Sequence, residues 1–182
     1  MLGIRLHGRG GQGAQVGCQI LAAAFFRAGA WVQAFAAYGG ERRGAPVTAS
    51  LRVDDAPIHL RCDVTEAQHL LVLDPTLLAG LGQEALAMGG TVIVNSAHAP
   101  CSRMPGASRI VTVDASAIAR DAGLGPIVST ALLGAFAAST GLVTLDDLCA
   151  AVEEWSPVKK AENLAACRAG YRNAAGLPAV TA

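Results

Sequence analysis

Residues 3–28 read GIRLHGRGGQGAQVGCQILAAAFFRA, with Gly8, Gly10, Gly11 and Gly13 packed between a short apolar run and a long helical pattern. A chain that passes from strand to helix through so short a turn must lay the helix back across its own sheet, which restricts the architecture more than any other stretch does. Glycines let such a turn take positive φ, and the helix behind it directs unpaired N–H groups and a partial positive charge at whatever lies in front. Gly8, Gly10 and Gly13 also spell the G-x-G-x-x-G of a dinucleotide-binding turn. That fingerprint needs an acidic residue about 20 positions on to take the ribose hydroxyls. Counting from Gly13 reaches Gln33, flanked by Val32 and Ala34, and the first acid after the motif is Glu41 in a second glycine-rich loop. The nicotinamide or flavin reading therefore lacks its second leg. Another anion or cofactor tail, and a purely structural turn, both stay open.

The remaining sequence alternates strand and helix patterns. "AWVQAF" and "VTASLRV" read as the second and third strands, joined by "AAYGGERRGAP", and "DDAPIHL" reads as a turn with a short pairing strand. "HLLVLD" is a buried strand ending in Asp74, with Pro75 opening a helix to about Met88 that Gly89 and Gly90 terminate. "TVIVN" and "RIVTVD" are further strands, the latter followed by a helix from about Ala115 to Ala122. Three helices complete the pattern. One runs to Gly141, the next is capped by Thr144 with Asp147 in its first turn, and the last takes Ser156 as cap, Pro157 inside, and Gly176 and Pro178 beyond its end. This predicts an α/β fold: a single domain over 1–182 with a mostly parallel sheet covered by helices, a sheet core over about 1–128 and a helical part over about 129–176.

Composition adds two expectations. Hydrophobic residues make up 52% of the 182, charged residues 15%, and mean hydropathy is +0.40. No stretch reaches the roughly 18–20 apolar residues of a spanning helix, so the surplus points to surface buried against partner chains rather than to a membrane. Net charge is zero, yet residues 1–61 carry seven arginines against Glu41, Asp54 and Asp55. A positive first third suits local anion recognition or a charged subunit contact, while overall neutrality argues against nucleic-acid binding. The five cysteines, Cys18, Cys62, Cys101, Cys149 and Cys167, include no C-x-x-C, read as buried structural thiols, and suit a reduced, cytoplasmic protein.

Arg9 inside the first glycine turn, and Arg42 and Arg43 inside the second loop, can each present a planar fork to a phosphate or carboxylate. In a parallel sheet the loops after the first two strands leave from the same carboxyl edge, where ligands bind. The alternative is that Glu41 braces its loop through a neighbouring arginine, or that these arginines meet another subunit. Other chemistry has no foothold: there is no P-loop, H-E-x-x-H or G-x-S-x-G, and His7, His59, His69 and His98 are scattered. His7 reads as structural, and Asp74 before Pro75 as a helix cap.

Taken in order, "IRLHGRGGQGAQVGCQILAAA", "FAAYGGERRGAPVTASLRV", "LLVLDPTLL", "GPIVSTALLGAFAASTGLVTLDDL" and "KKAENLAACRAGYRNA" resemble the gamma subunit, or gamma domain, of the 2-oxoacid:acceptor (pyruvate/ketoisovalerate:ferredoxin-type) oxidoreductase family over nearly the whole chain. The pairing of G-R-G-G-Q-G with Y-G-x-E-R-R-G-A-P is far more specific than the glycines alone. The resemblance implies a Rossmann-like fold and an accessory subunit, not itself catalytic, of a complex that oxidatively decarboxylates a 2-oxoacid, usually to an acyl-coenzyme A. Thiamine diphosphate, Mg2+ and [4Fe-4S] clusters would belong to alpha, beta and ferredoxin-like delta partners or fused equivalents. The acceptor would be ferredoxin or a flavoprotein using NAD. The gamma part would help assembly and the coenzyme A side of the site. Transferred to this sequence, the rim residues are Gly8, Arg9, Gly10, Gly11, Gln12, Gly13, Tyr38, Glu41, Arg42, Arg43, Ser129 and Thr130, with no catalytic or metal-binding residue assigned. Ser129 stands where the family pattern has asparagine, and serine can still cap the helix there. The rival readings are a free-standing dinucleotide-binding oxidoreductase and a pure scaffold.

Overall fold

The computed structural model describes residues 1–38, 44–81, 86–98, 107–175 and 180–181. Strand β1 (Leu2–Arg9) runs through the glycine turn into helix α1 (Ala14–Arg27), which closes where Gly29, at φ 90°, carries the chain away. Strands β2 (Trp31–Tyr38) and β3 (Pro46–Asp54) follow, then β4 (Ala67–Val72), a 3-10 helix (Pro75–Gly80), β5 (Leu86–Asn95) and β6 (Ala107–Val113). Helices α2 (Ala115–Asp121), α3 (Ser129–Thr140), α4 (Leu145–Trp155) and α5 (Lys160–Ala175) come next, and β7 (Val180–Thr181) returns to the sheet.

The seven strands form one sheet in the order β2-β3-β1-β4-β5-β6-β7. Its centre, β1-β4-β5-β6, is parallel, whereas β3 pairs antiparallel with both β1 and β2, and β7 antiparallel with β6. Two antiparallel steps restore direction, so β2 runs the same way as β1. Tyr38 lies opposite Val47, and Val47 lies opposite Gly8. The first two strands therefore do end on one rim, through an intervening antiparallel strand.

Alternation along the strands sorts the core into two layers. Ile4, Leu6, Leu51, Leu71, Ile93 and Val111 face the α-helices, whereas Leu70, Val72, Val92, Val94 and Ile110 pack with Val64, Leu78, Leu81 and Leu86 on the opposite face. Among the described residues the α-helices cover one face only. The other is covered by the segment after β3, the 3-10 helix and the start of β5. On the helical face α3 and α5 pack backbone to backbone: a Cβ on Gly134 would lie 1.9 Å from the Cys167 carbonyl oxygen, and one on Gly170 1.9 Å from that of Ala131.

Three local expectations are corrected. "DDAPIHL" forms no strand, because β3 already has β1 and β2 on its two edges; Gln33 Nε2 donates to the Leu60 carbonyl at 2.8 Å, and the buried Arg52 guanidinium to the Cys62 carbonyl at 2.6 Å, tying the segment down instead. The helix after Pro75 stops at Gly80, and Met88, Gly89 and Gly90 belong to β5, where a register shift falls between Gly90 and Thr91. Glycine here marks a strand irregularity rather than a helix end. Ser156 closes α4, its N–H donating to the Val152 carbonyl at 3.0 Å, and α5 starts only at Lys160. Gly176 and Pro178 lie outside the described residues. The thiols also divide: Cys18 and Cys167 are buried, Cys149 is half-buried and Cys62 is exposed, while Cys101 lies outside the described residues. By contrast Thr144 caps α4 as its sequence predicts, accepting from the Asp147 N–H at 3.1 Å.

Candidate functional site

The glycine turn is locked from three directions by its own backbone and by Gln12. The Gly10 N–H donates to the Ala45 carbonyl at 3.0 Å, fastening the turn to the start of β3. Gln12 Oε1 accepts from the Arg9 N–H at 2.7 Å, and the Gln12 carbonyl accepts from the Val128 N–H at 3.3 Å, which fixes the start of α3 beside the turn. Gly13 precedes α1 at φ 85°, with no side-chain cap. A Cβ there would lie 2.5 Å from Ser129 Oγ, and one on Gly17 2.9 Å from Ser129 Cβ. The close approach of α3 to the turn is what these two glycines permit.

Between these elements lies a cavity of about 280 Å3, lined by Arg9, Gly10, Gly11 and Gly13 of the turn, the first residues of α1, Ser129 and Thr130 of α3, and the strap Ser156–Val158. The N-termini of α1 and α3 both open onto it. Neither has a capping side chain, and neither carries an acidic residue in its first turn. Helix ends without a capping side chain, and two helix dipoles, therefore favour negative charge in this space. The strap is held by Asn163, whose Nδ2 donates to the Val158 and Lys159 carbonyls at 3.0 and 2.9 Å while its Oδ1 accepts from Thr130 Oγ1 at 3.1 Å.

Arg9 takes a different part from the one its sequence context suggests. Its Nε pairs with Asp74 Oδ2 at 2.9 Å, Nη1 donates to the Gly44 carbonyl at 3.1 Å, and Nη2 to Thr76 Oγ1 at 3.0 Å. The fork braces the ends of β1 and β4 against the start of β3, leaving two of five N–H groups unengaged by these bonds. Asp74 joins this brace and caps the 3-10 helix, accepting from the Thr76 N–H at 3.0 Å. Burial opposes its ionisation, but the Thr76 hydroxyl and amide and the Arg9 charge hold its carboxyl below the usual range. His7 is buried, with Nδ1 3.3 Å from Thr48 Oγ1 and Nε2 without a hydrogen-bond partner among the described residues. Burial, then the Arg5 charge, pushes it down to about 4, so the ring is neutral near pH 7.

The structure thus gathers Gly8, Arg9, Gly10, Gly11, Gln12, Gly13, Ser129 and Thr130 at one rim, with Tyr38 ending β2 on the same edge. Ser129 is the first residue inside α3 rather than its cap, since Val128 holds that position. Glu41, Arg42 and Arg43 lie outside the described residues. Sequence reasoning missed Asn163 and the strap, and the Arg9–Asp74–Thr76 brace; an asparagine in the first turn of an otherwise good helix-former run was the one available signal. Among the described residues no three His, Cys, Asp or Glu side chains are grouped to hold a metal ion, and no helix is long and apolar enough to cross a membrane.

Residues 3–173 match the profile of a family described as "Pyruvate ferredoxin/flavodoxin oxidoreductase". The chain is 45% identical over 161 residues to the "Pyruvate/ketoisovalerate oxidoreductases common subunit gamma" of Thermococcus kodakarensis, covering 85% of this chain and 86% of that one. It is 44% identical over 153 residues to the "Pyruvate synthase subunit PorC" of Methanocaldococcus jannaschii, 84% of each chain. The crystal structure of the pyruvate oxidoreductase subunit PORC from Thermotoga maritima superposes with a TM-score of 0.81 at 34% identity, over 94% of this chain and 96% of that one. A likeness of fold alone extends to a 2-oxoglutarate:ferredoxin oxidoreductase from Magnetococcus marinus, solved with 2-oxoglutarate, coenzyme A and succinyl-CoA bound. There the TM-score is 0.75 at 18% identity, and 99% of this chain covers 32% of that one.

Proposed function

The chain belongs to the pyruvate ferredoxin/flavodoxin oxidoreductase family, on its gamma-subunit branch, and from that premise we propose that it is the accessory gamma subunit of a cytoplasmic 2-oxoacid:acceptor oxidoreductase, positioning coenzyme A rather than carrying out chemistry. In this reading thiamine diphosphate, Mg2+ and [4Fe-4S] clusters reside on alpha, beta and ferredoxin-like delta partners or their fused equivalents, and ferredoxin or a flavoprotein using NAD takes the electrons. Correspondence of the chain to about a third of a larger oxidoreductase polypeptide supports a part that works within a larger machine. So do the large apolar side chains left at the surface, among them Phe26, Trp31 and Trp155.

One observation carries the coenzyme A side of the proposal: two uncapped helix N-termini and a glycine turn converge on one rim cavity. Its volume suits a diphosphate and not a whole coenzyme, so the remainder would lie along the open rim. Backbone N–H groups at the starts of α1 and α3, rather than those of Arg9, Gly10 and Gln12 that already donate within the fold, would take the diphosphate oxygens. Arg42 and Arg43 would supply the ribose phosphate with the cations that Arg9, engaged in its brace, cannot. Replacing both arginines by alanine in the assembled complex tests this. The reading expects KM for coenzyme A to rise about tenfold or more with kcat little changed, as loss of ground-state binding requires; an unchanged KM removes it. If those substitutions disturb assembly alone, the subunit is a scaffold.

The dinucleotide reading loses further ground. Its adenosine half needs the second strand directly beside the first, with an acid at its end. Here β3 stands between β1 and β2. A melting-temperature shift of the isolated chain with micromolar NAD(H) or FAD would restore that reading.

A further inference from the structure

The rim cavity occupies one edge of the sheet, and the face away from the α-helices carries a second set of polar groups that it does not engage. Ile4 and Leu6 point into the helical layer, so Arg5 and His7, alternating with them on β1, face the other way. By the same alternation Arg52 of β3, and Trp31, Gln33 and Phe35 of β2, lie on that face. The parallel centre of a sheet is normally buried on both sides. Here the apolar layer on this side is the smaller one and centres on β4 and β5, with Leu70, Val72, Val92 and Val94. Toward β1, β3 and β2 arginines take its place, and Trp31 at the outer strand is 52% exposed. Arg52 is buried, with Nη1 donating to Gln33 Oε1 at 2.8 Å, Nη2 to the Cys62 carbonyl at 2.6 Å, and its guanidinium 5.4 Å from the Phe35 ring centre. All of these partners are neutral. Arg5 has still less: its Nε is buried and lacks a hydrogen-bond partner among the described residues, whose four ion pairs include neither arginine. Asp63, in the segment after β3, acts on Arg5 by its charge without pairing to it. His7, two residues along the same face, is 5% exposed with Nε2 also unpartnered among the described residues. Buried donors without an acceptor are destabilising and rare in finished structures.

We propose that the β2-β3-β1 part of this face is a docking surface for a different subunit of the oxidoreductase, and that an Asp or Glu carboxylate of that subunit supplies the acceptor Arg5 lacks. Charge selects the occupant. Arg5 lies opposite Ser50 and Arg52 opposite Gly3, so the two guanidinium groups sit on adjacent strands, diagonal to each other, with no carboxylate paired to either. A carboxylate meets the Nε and Nη groups of an arginine through two parallel hydrogen bonds, a fit that a lone carbonyl or amide does not reproduce. Trp31 and Phe35 beside the arginines give the surface the aromatic and arginine content of an interface centre. A second copy of this chain docked face to face about a two-fold axis would set arginine against arginine, which favours a different chain. The inference rests on the reading of this chain as one part of a larger complex, and not on coenzyme A.

The first test needs no variant. The full-length chain, alone and assembled with its copurifying partners, is treated with phenylglyoxal, and its modified arginines are mapped by peptide mass. Arg5 should react in the chain alone and lose that reactivity in the complex; equal reactivity in the two states, or none in either, overturns the proposal. Arg5→Lys then keeps the charge and adds an amine that a carbodiimide couples to any carboxylate in contact with it. In the complex the expected product joins position 5 to an Asp or Glu of a different subunit. A product joined to Asp63 or to a second copy of this chain, or no product in an assembled complex, overturns the proposal. Arg5→Gln should speed dissociation of the chain from the complex by about tenfold or more, as loss of one partner of a desolvated charge pair does. If the variants do not assemble, the wild-type map decides. A chain that joins no partner overturns the complex reading together with this one, whereas a complex in which Arg5 stays as reactive as in the free chain overturns this one alone.

Discussion

At the end of β1, Arg9 holds three strand ends together through an ion pair and two further hydrogen bonds. Its side chain is 38% exposed, so solvent screens part of the ion pair. Arg9→Ala should therefore destabilise the chain by about 1–2 kcal/mol in chemical denaturation. Arg9→Lys should recover little of that, because a point charge cannot serve three acceptors at fixed angles. Unchanged stability in the alanine variant would mean the brace is not formed in solution. His7 supplies a second prediction. Its folded-state pKa, about 4, lies below the usual 6.5, so an unfolded chain binds the proton that the folded chain refuses. The stability this represents is complete above the unfolded value and is lost as pH falls from about 6.5 toward 4, by up to roughly 3 kcal/mol. His69, also depressed by burial, contributes in the same direction. Replacing His7 by glutamine should flatten the slope of stability against pH in that window, read from denaturation midpoints, and an unaltered slope would assign it elsewhere. The glycine turn was legible at this scale because its requirement is local. The partner of Arg9 was not, because Asp74 lies 65 residues away and no short-range pattern links them.

Among the elements, the α3–α5 contact is the least tolerant. Gly134→Ala would drive a methyl into the Cys167 carbonyl at 1.9 Å. Because backbone rather than a flexible side chain opposes it, the cost should exceed about 3 kcal/mol or abolish folding. Gly141→Ala is the control. It ends α3 at φ 64° with nothing within 4 Å of a Cβ, so only left-handed strain of about 1 kcal/mol applies. Similar melting temperatures for the two variants would contradict the close packing. Helices with strong end signals were readable from sequence, since Thr144 and Gly141 act within one turn of where they stand. The stretch 75–90 was misread for a physical reason. Its leucines and alanines carry helix propensity, but Gly80 and Gly82 interrupt the run, and pairing of β5 with β4 and β6 decides the rest. Ser156 misled similarly, as one serine followed by proline fits the end of α4 as well as the start of α5.

Over the whole molecule, the alternation of strands and helices foretold a layered α/β fold with a parallel centre, but not where β3 would insert. That strand lies antiparallel between β1 and the edge strand β2 and so brings the ends of β1 and β2 to one rim. Period and propensity do not encode strand order, which is set by which edges remain open and which apolar faces must be covered. The same limit applies to the candidate site. The turn and the start of α3 were named from sequence, whereas the Asn163-held strap that closes their cavity was not, because it arrives from the far end of the chain. The most direct measurement on the central claim is 2-oxoacid-dependent reduction of a low-potential dye, in the presence of coenzyme A, by this chain alone, by its copurifying partners alone, and by the two combined. The account predicts no turnover by the isolated chain and full coenzyme A-dependent turnover only in the combination. Turnover by the chain alone, or partners that work equally well and with the same KM for coenzyme A in its absence, would contradict it.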